Sequence, residues 1–265
     1  MNLLITGANS SLGEKLRIEL ESLSYKVIYA SSNSGMGQKN FNLNTGFDSD
    51  LFEDIDFILH LAINPKLVIT NIEKDFFNFA AAKNITLLYI GSTSSYLVKP
   101  NEYGIYKKLV EDLVIENNGI VLTCGLLYGS NFKGQLFKIK KVLKILPFNI
   151  ELLGSKLVYI TPIQAIVDFL VQLKTEEIYR GKRVLLYNSE AIPFNLLLTR
   201  LAGKKIFKVK LTSKAINLIL KINPFKTRYF SSDSYKALLG DFKVDLTSSS
   251  IDLRNEVDIK YKQIK

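Results

Sequence analysis

Asn2-Leu3-Leu4-Ile5-Thr6, followed by Gly7-Ala8-Asn9-Ser10-Ser11-Leu12-Gly13, is the stretch from which the rest of the chain is read. Asn2–Thr6 is an apolar run of strand length, and Ser11–Leu23 has the spacing of a helix. Between them, Gly7 permits a tight strand-to-helix turn and Gly13 permits close packing of helix on sheet. The first N–H groups of such a helix lack intrahelical partners and carry partial positive charge. Asn9, Ser10, Ser11 and Leu12 therefore line a cradle suited to a pyrophosphate. Ser10 stands where the middle glycine of such turns is usual; it keeps the N–H, adds a hydroxyl, and takes up room beside the phosphates.

Outward from this turn, Lys26–Ala30, Asp56–Leu61, Thr86–Ile90 and Ile120–Cys124 are further apolar runs of strand length. Pro65–Lys83 and Asn101–Asn117 between them are helix-like. Strands alternating with helices imply right-handed crossovers and a parallel sheet covered on both faces. After about Gly129 the rhythm loosens. A basic amphipathic helix over Lys133–Leu146 stops at Pro147, and Val158–Ile160 and Val184–Tyr187 are short apolar pieces flanking a helix over Pro162–Leu173. Phe194–Ala202 ends at Gly203, a natural helix C-cap, and Thr212–Ile222 and Ser232–Leu239 read as further helices. The expected organisation is a core over residues 1–130 and a lobe over 131–265 that crosses back to it as one integrated unit.

At 265 residues, 47% hydrophobic and 23% charged, the chain can bury a sizeable core, which excludes disorder throughout. No apolar stretch approaches the roughly 18 residues of a membrane span. The N-terminus lacks the basic region and long apolar run of a secretion signal. One cysteine, Cys124, and one histidine, His60, exclude internal disulfides and a His/Cys zinc site, so no metal is expected. A reducing, cytoplasmic location is the expectation. Lys+Arg 35 against Asp+Glu 25 gives a net charge of +10, which favours anionic partners.

An acidic residue at the end of the second strand of such a fold accepts the ribose hydroxyls of NAD. Here the strand ends Tyr29-Ala30-Ser31-Ser32-Asn33, without a carboxylate. Ser31 and Ser32 leave space for a 2′-phosphate, so NADP(H) is favoured, with NAD(H) also compatible and Lys39 a cation not far along the chain. Tyr103 and Lys107 lie at i and i+4, one turn apart on one helix face. A phenol with a pKa near 10 is a poor proton carrier at neutral pH, and a neighbouring ammonium is expected to lower it. Gly91-Ser92-Thr93-Ser94-Ser95 offers a hydroxyl at the C-terminal end of the preceding strand, the edge at which open parallel sheets bind ligands. Tyr106 and Lys108 show how readily tyrosine–lysine neighbours arise by chance; the ordered combination of phosphate turn, hydroxyl cluster and Tyr103/Lys107 pair is the more specific signal.

With these residues in place, the chain resembles the extended short-chain dehydrogenase/reductase superfamily, in particular its nucleotide-sugar epimerases, dehydratases and reductases. Thr6-Gly7-Ala8…Gly13 looks like the family's cofactor turn, and Asp56-Phe57-Ile58-Leu59-His60-Leu61-Ala62 is similar to its fourth-strand signature, with Leu61 and Ala62 along the cofactor. Leu88–Ser95 resembles the strand delivering the catalytic hydroxyl. Thr93 falls at that position, with Ser92 and Ser94 as close competitors. Tyr103-Gly104…Lys107…Glu111 matches Y-G-x-x-K-x-x-x-E, and Leu126-Leu127-Tyr128-Gly129 resembles the segment passing the nicotinamide. The resemblance implies a Rossmann-like doubly wound sheet with a small C-terminal substrate-binding lobe. It also implies an NAD(P)-dependent oxidoreductase acting on a nucleotide-diphosphate sugar, with Thr93, Tyr103 and Lys107 catalytic and Lys107 also orienting the cofactor ribose. Without an acid after the second strand, NADPH-dependent reduction of a 4-keto-6-deoxyhexose in surface-polysaccharide biosynthesis is the first reading. An NAD-dependent 4-epimerase would share the same residues, and a catalytically silent nucleotide-binding regulator is the alternative from another class. Ser10, Thr123 and Tyr106 depart from the family's usual residues. His60 is read as a structural strand-end residue and Cys124 as a small core residue.

Lys133, Lys138, Lys140, Lys141 and Lys144 crowd one segment beyond the nicotinamide region. They suit a solvated face, the diphosphate of a nucleotide sugar, or a peripheral membrane contact. For the last, Leu136, Phe137, Ile139, Val142, Leu143 and Ile145 alternate with the lysines, and Lys214–Lys221 is a second apolar, basic stretch. No nucleic-acid-binding module is recognisable, so nucleic acid ranks last. A homodimer is compatible with the family and required by nothing in the sequence.

Overall fold

The computed structural model describes residues 2–21, 26–33, 35, 37–146, 148–153, 156–172, 179–186, 191–203 and 208–212. The helices expected over Thr212–Ile222 (apart from Thr212) and Ser232–Leu239, the basic stretch Lys214–Lys221, and the positions Pro147, Leu173 and Tyr187 lie outside them.

The first half is the expected alternation. β1 (Asn2–Thr6), α1 (Ser11–Glu21), β2 (Lys26–Ser31), β3 (Lys39–Asn42) and β4 (Gly46–Phe47) are followed by β5 (Phe57–His60), α2 (Asn71–Ala82), β6 (Thr86–Ser92), α3 (Glu102–Glu116) and β7 (Ile120–Cys124). β12 (Arg183–Leu186) completes an eight-stranded sheet in the order β12-β7-β6-β5-β1-β2-β3-β4. All neighbours run parallel except β3 and β4. The strand order reverses beside β1, the place at which open α/β sheets receive ligands outside the C-terminal ends of their strands.

Strand alternation assigns the two cores. Leu3, Ile5, Leu59, Leu88 and Leu122 point to one face, with Leu16 and Leu20 of α1. Leu4, Ile58, Leu87, Tyr89 and Val121 point to the other, with Phe76 and Phe77 of α2 and Val110 and Val114 of α3. Both faces are covered, so β1 reads as an uninterrupted apolar run rather than an alternating one.

Four expectations change. The helix expected over Pro65–Lys83 begins only at Asn71: Asn64 Oδ1 accepts from the Lys66 N–H to form a turn, and Thr70 Oγ1 caps the helix by accepting from the Glu73 N–H. Pro65 and the β-branched run Val68-Ile69-Thr70 resist helix, and the cap decides the start. β3 has no strand-like composition; Ala30↔Lys39 and Ser31↔Asn40 pairing and the burial of Phe41 against Phe76 hold it. The short apolar piece Val158–Ile160 divides between two strands. β10 (Leu157–Val158) pairs antiparallel with β13 (Ile192–Pro193), and β11 (Ile160–Pro162) runs parallel with β8 (Leu126–Tyr128). The lysine-rich helix α4 (Gln135–Ile145) turns Leu136, Ile139 and Leu143 into a third core. That core is shared with α6 (Phe194–Ala202) and β9 (Asn149–Leu152), the latter paired with β14 (Lys208–Leu211). Its apolar periodicity therefore serves the protein's own interior, while Phe137, Val142 and Ile145 stay exposed among the lysines. Gly203 ends α6 in the left-handed conformation at φ 63°, and α5 (Ile163–Gln172) returns to the main sheet through Ile166, Phe169 and Leu170. Among the described residues no helix is long and apolar enough to cross a membrane.

Candidate active site

The site begins at the β1–α1 turn. Gly7 has φ +68°, and a Cβ there would stand 2.6 Å from the Ala62 nitrogen; one on Gly13 would stand 2.5 Å from the Ala8 carbonyl oxygen. Both glycines are thus required by close backbone approach, which seats Leu61 and Ala62 beside the turn. Ser10 Oγ accepts from the Gly13 N–H at 3.1 Å, so this hydroxyl caps α1. The N–H groups of Ser11 and Leu12 open the helix without an i−4 carbonyl to meet. A glycine cradle with outward N–H groups fits a dinucleotide pyrophosphate.

At the end of β2, Ser31 is buried and Ser32 exposed. The Ser31 hydroxyl is bonded to Asn9 and Gln38. Lys39 ion-pairs with Asp50, which turns its amine to a partner of its own.

The second half of the site hangs on Glu111. This fully buried carboxylate of α3 accepts from the Ser92 N–H (3.2 Å), the Ser95 hydroxyl (2.9 Å) and the Tyr96 hydroxyl (3.1 Å), pinning the short 3-10 turn after β6. Burial raises the Glu111 pKa against those bonds. A Cβ on Gly91 would meet Glu111 Oε1 at 2.7 Å, and one on Gly104 the Ser94 carbonyl oxygen at 2.5 Å. Two glycines therefore let α3 lie directly on the serine turn. Asn101 Oδ1 caps α3 by accepting from the Gly104 N–H.

This packing brings Tyr103 to Ser92, whose side chain hydrogen-bonds its hydroxyl. The Ser92 hydroxyl also meets Ser94 Oγ at 2.7 Å. Thr93 is half-buried, and its hydroxyl has no partner among the described residues. Lys107 is 4% exposed; Nζ donates to the Ile90 carbonyl at 2.8 Å, lies 4.2 Å from the Tyr89 ring centroid and 5.8 Å from that of Tyr103. Burial lowers its pKa to about 8, with Glu111, Cys124 and Glu73 opposing. The expectation that the ammonium depresses the Tyr103 pKa is not met. Burial, Glu111 and Cys124 raise the phenol well above its usual range, and the bond from Ser92 only partly opposes them. The ammonium is held beneath the tyrosine by Ile90 and Tyr89, and burial, the largest cause, acts together with the negative charge of Glu111 to raise the phenol. Tyr103 is therefore a protonated donor at neutral pH.

Tyr106 and Lys108 separate cleanly from this pair. Lys108 bonds Asp112. Tyr106 turns inward, donates to Glu73 Oε1 at 3.0 Å and accepts from the Asn64 N–H at 3.3 Å. His60, fully buried, meets Thr6 Oγ1 at 2.8 Å and stands 3.4 Å from Glu73. It is enclosed by Phe41, Phe76, Phe77 and Tyr89. This polar chain ties β1, β5, α2 and α3 together behind the site. Tyr106→Phe leaves a buried carboxylate one donor short, and should destabilise the fold by about 1–3 kcal/mol in denaturant titration. Cys124 is buried with its pKa pushed up to about 12 by burial, an inert thiol at the end of β7. Leu126 donates its N–H to the Tyr159 carbonyl at 2.8 Å, at the start of the β8–β11 pairing. The features that sequence reading missed are the Gln38 contact and the use of Ser92 by Tyr103; the first has no local signal, whereas the second was present as one of several adjacent hydroxyls.

No protein-family model matches the sequence, and no curated protein does. Solved structures do. MoeE5 in complex with UDP-glucuronic acid and NAD is 17% identical over 80% of this chain and 86% of that one, with a TM-score of 0.64. ADP-L-glycero-D-manno-heptose-6-epimerase from Helicobacter pylori is 15% identical over 80% of this chain and 85% of that one, at 0.60. dTDP-4-dehydrorhamnose reductase from Bacillus anthracis in complex with NADP is 16% identical over 90% of this chain and 97% of that one, at 0.62. The likeness is one of fold: the chain has the Rossmann-like α/β fold of these nucleotide-sugar structures.

Proposed function

We propose that this protein is an NAD(P)-dependent oxidoreductase of a nucleotide-activated sugar, and that it reduces the ketone of a 4-keto-6-deoxyhexose of the kind used in surface polysaccharides. The observation that carries the reading is the packing of α3 on the serine turn, which sets the Tyr103 hydroxyl against Ser92, with Lys107 Nζ 5.8 Å from the Tyr103 ring and Thr93 next in the chain after Ser92. When bound, the nicotinamide cofactor supplies the hydride. The chain's own part is to hold the proton and steady the oxygen. Tyr103, protonated at neutral pH, gives its Oη proton to the ketone oxygen as that oxygen gains charge. Thr93 donates a hydrogen bond to the same oxygen, and Ser92 positions the phenol. Lys107 supplies a fixed positive charge behind them, and Lys133 and the exposed lysines of α4 supply charge for the sugar's diphosphate. Gly7 and Gly13, with the Ser11 and Leu12 N–H groups, hold the cofactor's pyrophosphate.

The test is turnover of 4-keto nucleotide sugars by the purified protein with added NADPH or NADH. Consumption of reduced cofactor in step with alcohol formation supports reduction. Interconversion of C4 alcohols without added reduced cofactor would make the protein an epimerase, and tight cofactor binding without turnover of any such sugar would make it silent. Thr93→Val should lower kcat by about 10²–10³-fold, the usual loss for one donor to a developing oxyanion. Ser92→Ala, which removes the support of the phenol together with the Ser92 bonds to Ser94, should lower it by about tenfold. An inverted order would exchange the two roles.

A further inference from the structure

We propose that a neutral hydrogen-bonded ring of Asn9, Ser31 and Gln38 forms the adenosine-ribose subsite, and that Gln38 makes the protein accept NAD(H) and NADP(H) with little discrimination. This rests on the cofactor reading above and specifies it. The three side chains come from separate segments: the β1–α1 turn, the end of β2, and the approach to β3. Asn9 Nδ2 donates to Ser31 Oγ at 2.9 Å and to the Asn33 carbonyl at 3.0 Å. The Ser31 hydroxyl donates to Gln38 Oε1 at 2.9 Å, and Gln38 Nε2 closes the ring by donating to Asn9 Oδ1 at 2.9 Å. Gln38 is itself placed by its backbone N–H, which donates to the Gly35 carbonyl at 3.0 Å.

The valences that remain decide what the ring can take. Asn9 has spent both amide protons. Gln38 keeps one N–H, and Gln38 Oε1 and Asn9 Oδ1 each keep an acceptor position. A ribose 2′-hydroxyl can donate to those acceptors, and a 2′-phosphate can accept from the Gln38 N–H. Residues 26–42 contain no carboxylate, and their two cations are Lys26, at the opposite end of β2, and Lys39, whose amine is paired with Asp50. The two charges that separate NAD from NADP enzymes, a carboxylate that repels the 2′-phosphate and a cation that clamps it, are both replaced here by an amide able to serve either group.

The experiment is fluorescence titration of the full-length protein with NADPH and with NADH, on the parent, Gln38→Glu and Gln38→Arg, each checked for fold by circular dichroism. The parent should bind the two cofactors within about tenfold of one another, because no charge–charge contact distinguishes them. Gln38→Glu should weaken NADPH by about 30-fold or more while NADH changes by less than about threefold, and Gln38→Arg should shift the ratio the other way. The opposite signs let either variant decide if the other fails to fold. A parent preference above about 100-fold for one cofactor, or Gln38 variants that weaken both cofactors alike, would overturn the inference and leave the cofactor reading standing. A folded parent that binds neither cofactor would overturn both.

Discussion

Tyr103→Phe loses turnover by about 10³-fold, the scale of a positioned general acid, while binding the reduced cofactor as the parent does. The substitution removes one oxygen and keeps the ring that α3 presents to the site. The hydroxyl it deletes is bonded to Ser92 and raised in pKa by burial and by Glu111. At neutral pH that oxygen carries a proton, and its loss leaves the developing alkoxide without a donor of comparable placement. The measurement is single-turnover hydride transfer to the keto-sugar, with cofactor affinity titrated separately. If Tyr103→Phe reduces the ketone at the parent rate, the proton comes from elsewhere and the proposed role falls.

Lys107→Met has the second large effect, and its two consequences run in opposite directions. Activity should fall by about 10²-fold or more, since a fixed charge beside the reacting oxygen is removed. Stability at neutral pH should rise. The parent buries an amine whose pKa burial has lowered to about 8, so holding it charged is unfavourable, and an apolar chain of similar length avoids that cost. The gain is offset by the lost bond to the Ile90 carbonyl and the contact with Tyr89, leaving a net on the order of 2 kcal/mol. The pH dependence has a definite sign. Below pH 8 the amine is protonated in both folded and unfolded chains and the penalty is complete. Between about 8 and the ordinary lysine pKa the folded chain has lost the proton while the unfolded chain keeps it, so the penalty fades as pH rises. The stability difference between variant and parent should therefore shrink from pH 7 to pH 10 in denaturant titrations; a constant difference would mean that the amine is not the source. Reductive activity should decline above about pH 8 in the parent as the same charge is lost.

The chain's periodicity carried the scaffold. Asn2–Thr6, Lys26–Ala30, Thr86–Ile90 and Ile120–Cys124 each lie within observed strands, because a strand covered on both faces must be apolar at every position. The spacing of Gly7, Gly13, Tyr103 and Lys107 was equally legible, since each constraint acts within one turn or one strand-to-helix corner. What local pattern could not decide was anything set by a neighbour distant in sequence. β3 is a strand because β2 offers it an edge and Phe76 receives Phe41. Val158–Ile160 splits because its two ends find different partner strands.

The same division runs through the site. The sequence by itself determined a glycine turn between strand and helix, a run of adjacent hydroxyls, and a tyrosine and lysine on one helix face. Tertiary structure decided which hydroxyl meets the phenol, because Gly91 and Gly104 let α3 settle on the serine turn and Glu111 holds that turn in place. It also decided the direction in which the phenol's pKa moves, since desolvation and the field of a buried carboxylate depend on three-dimensional enclosure rather than on spacing along a helix. And it closed Asn9, Ser31 and Gln38 into a ring across 30 residues of chain, a contact that exists only once β3 has paired with β2.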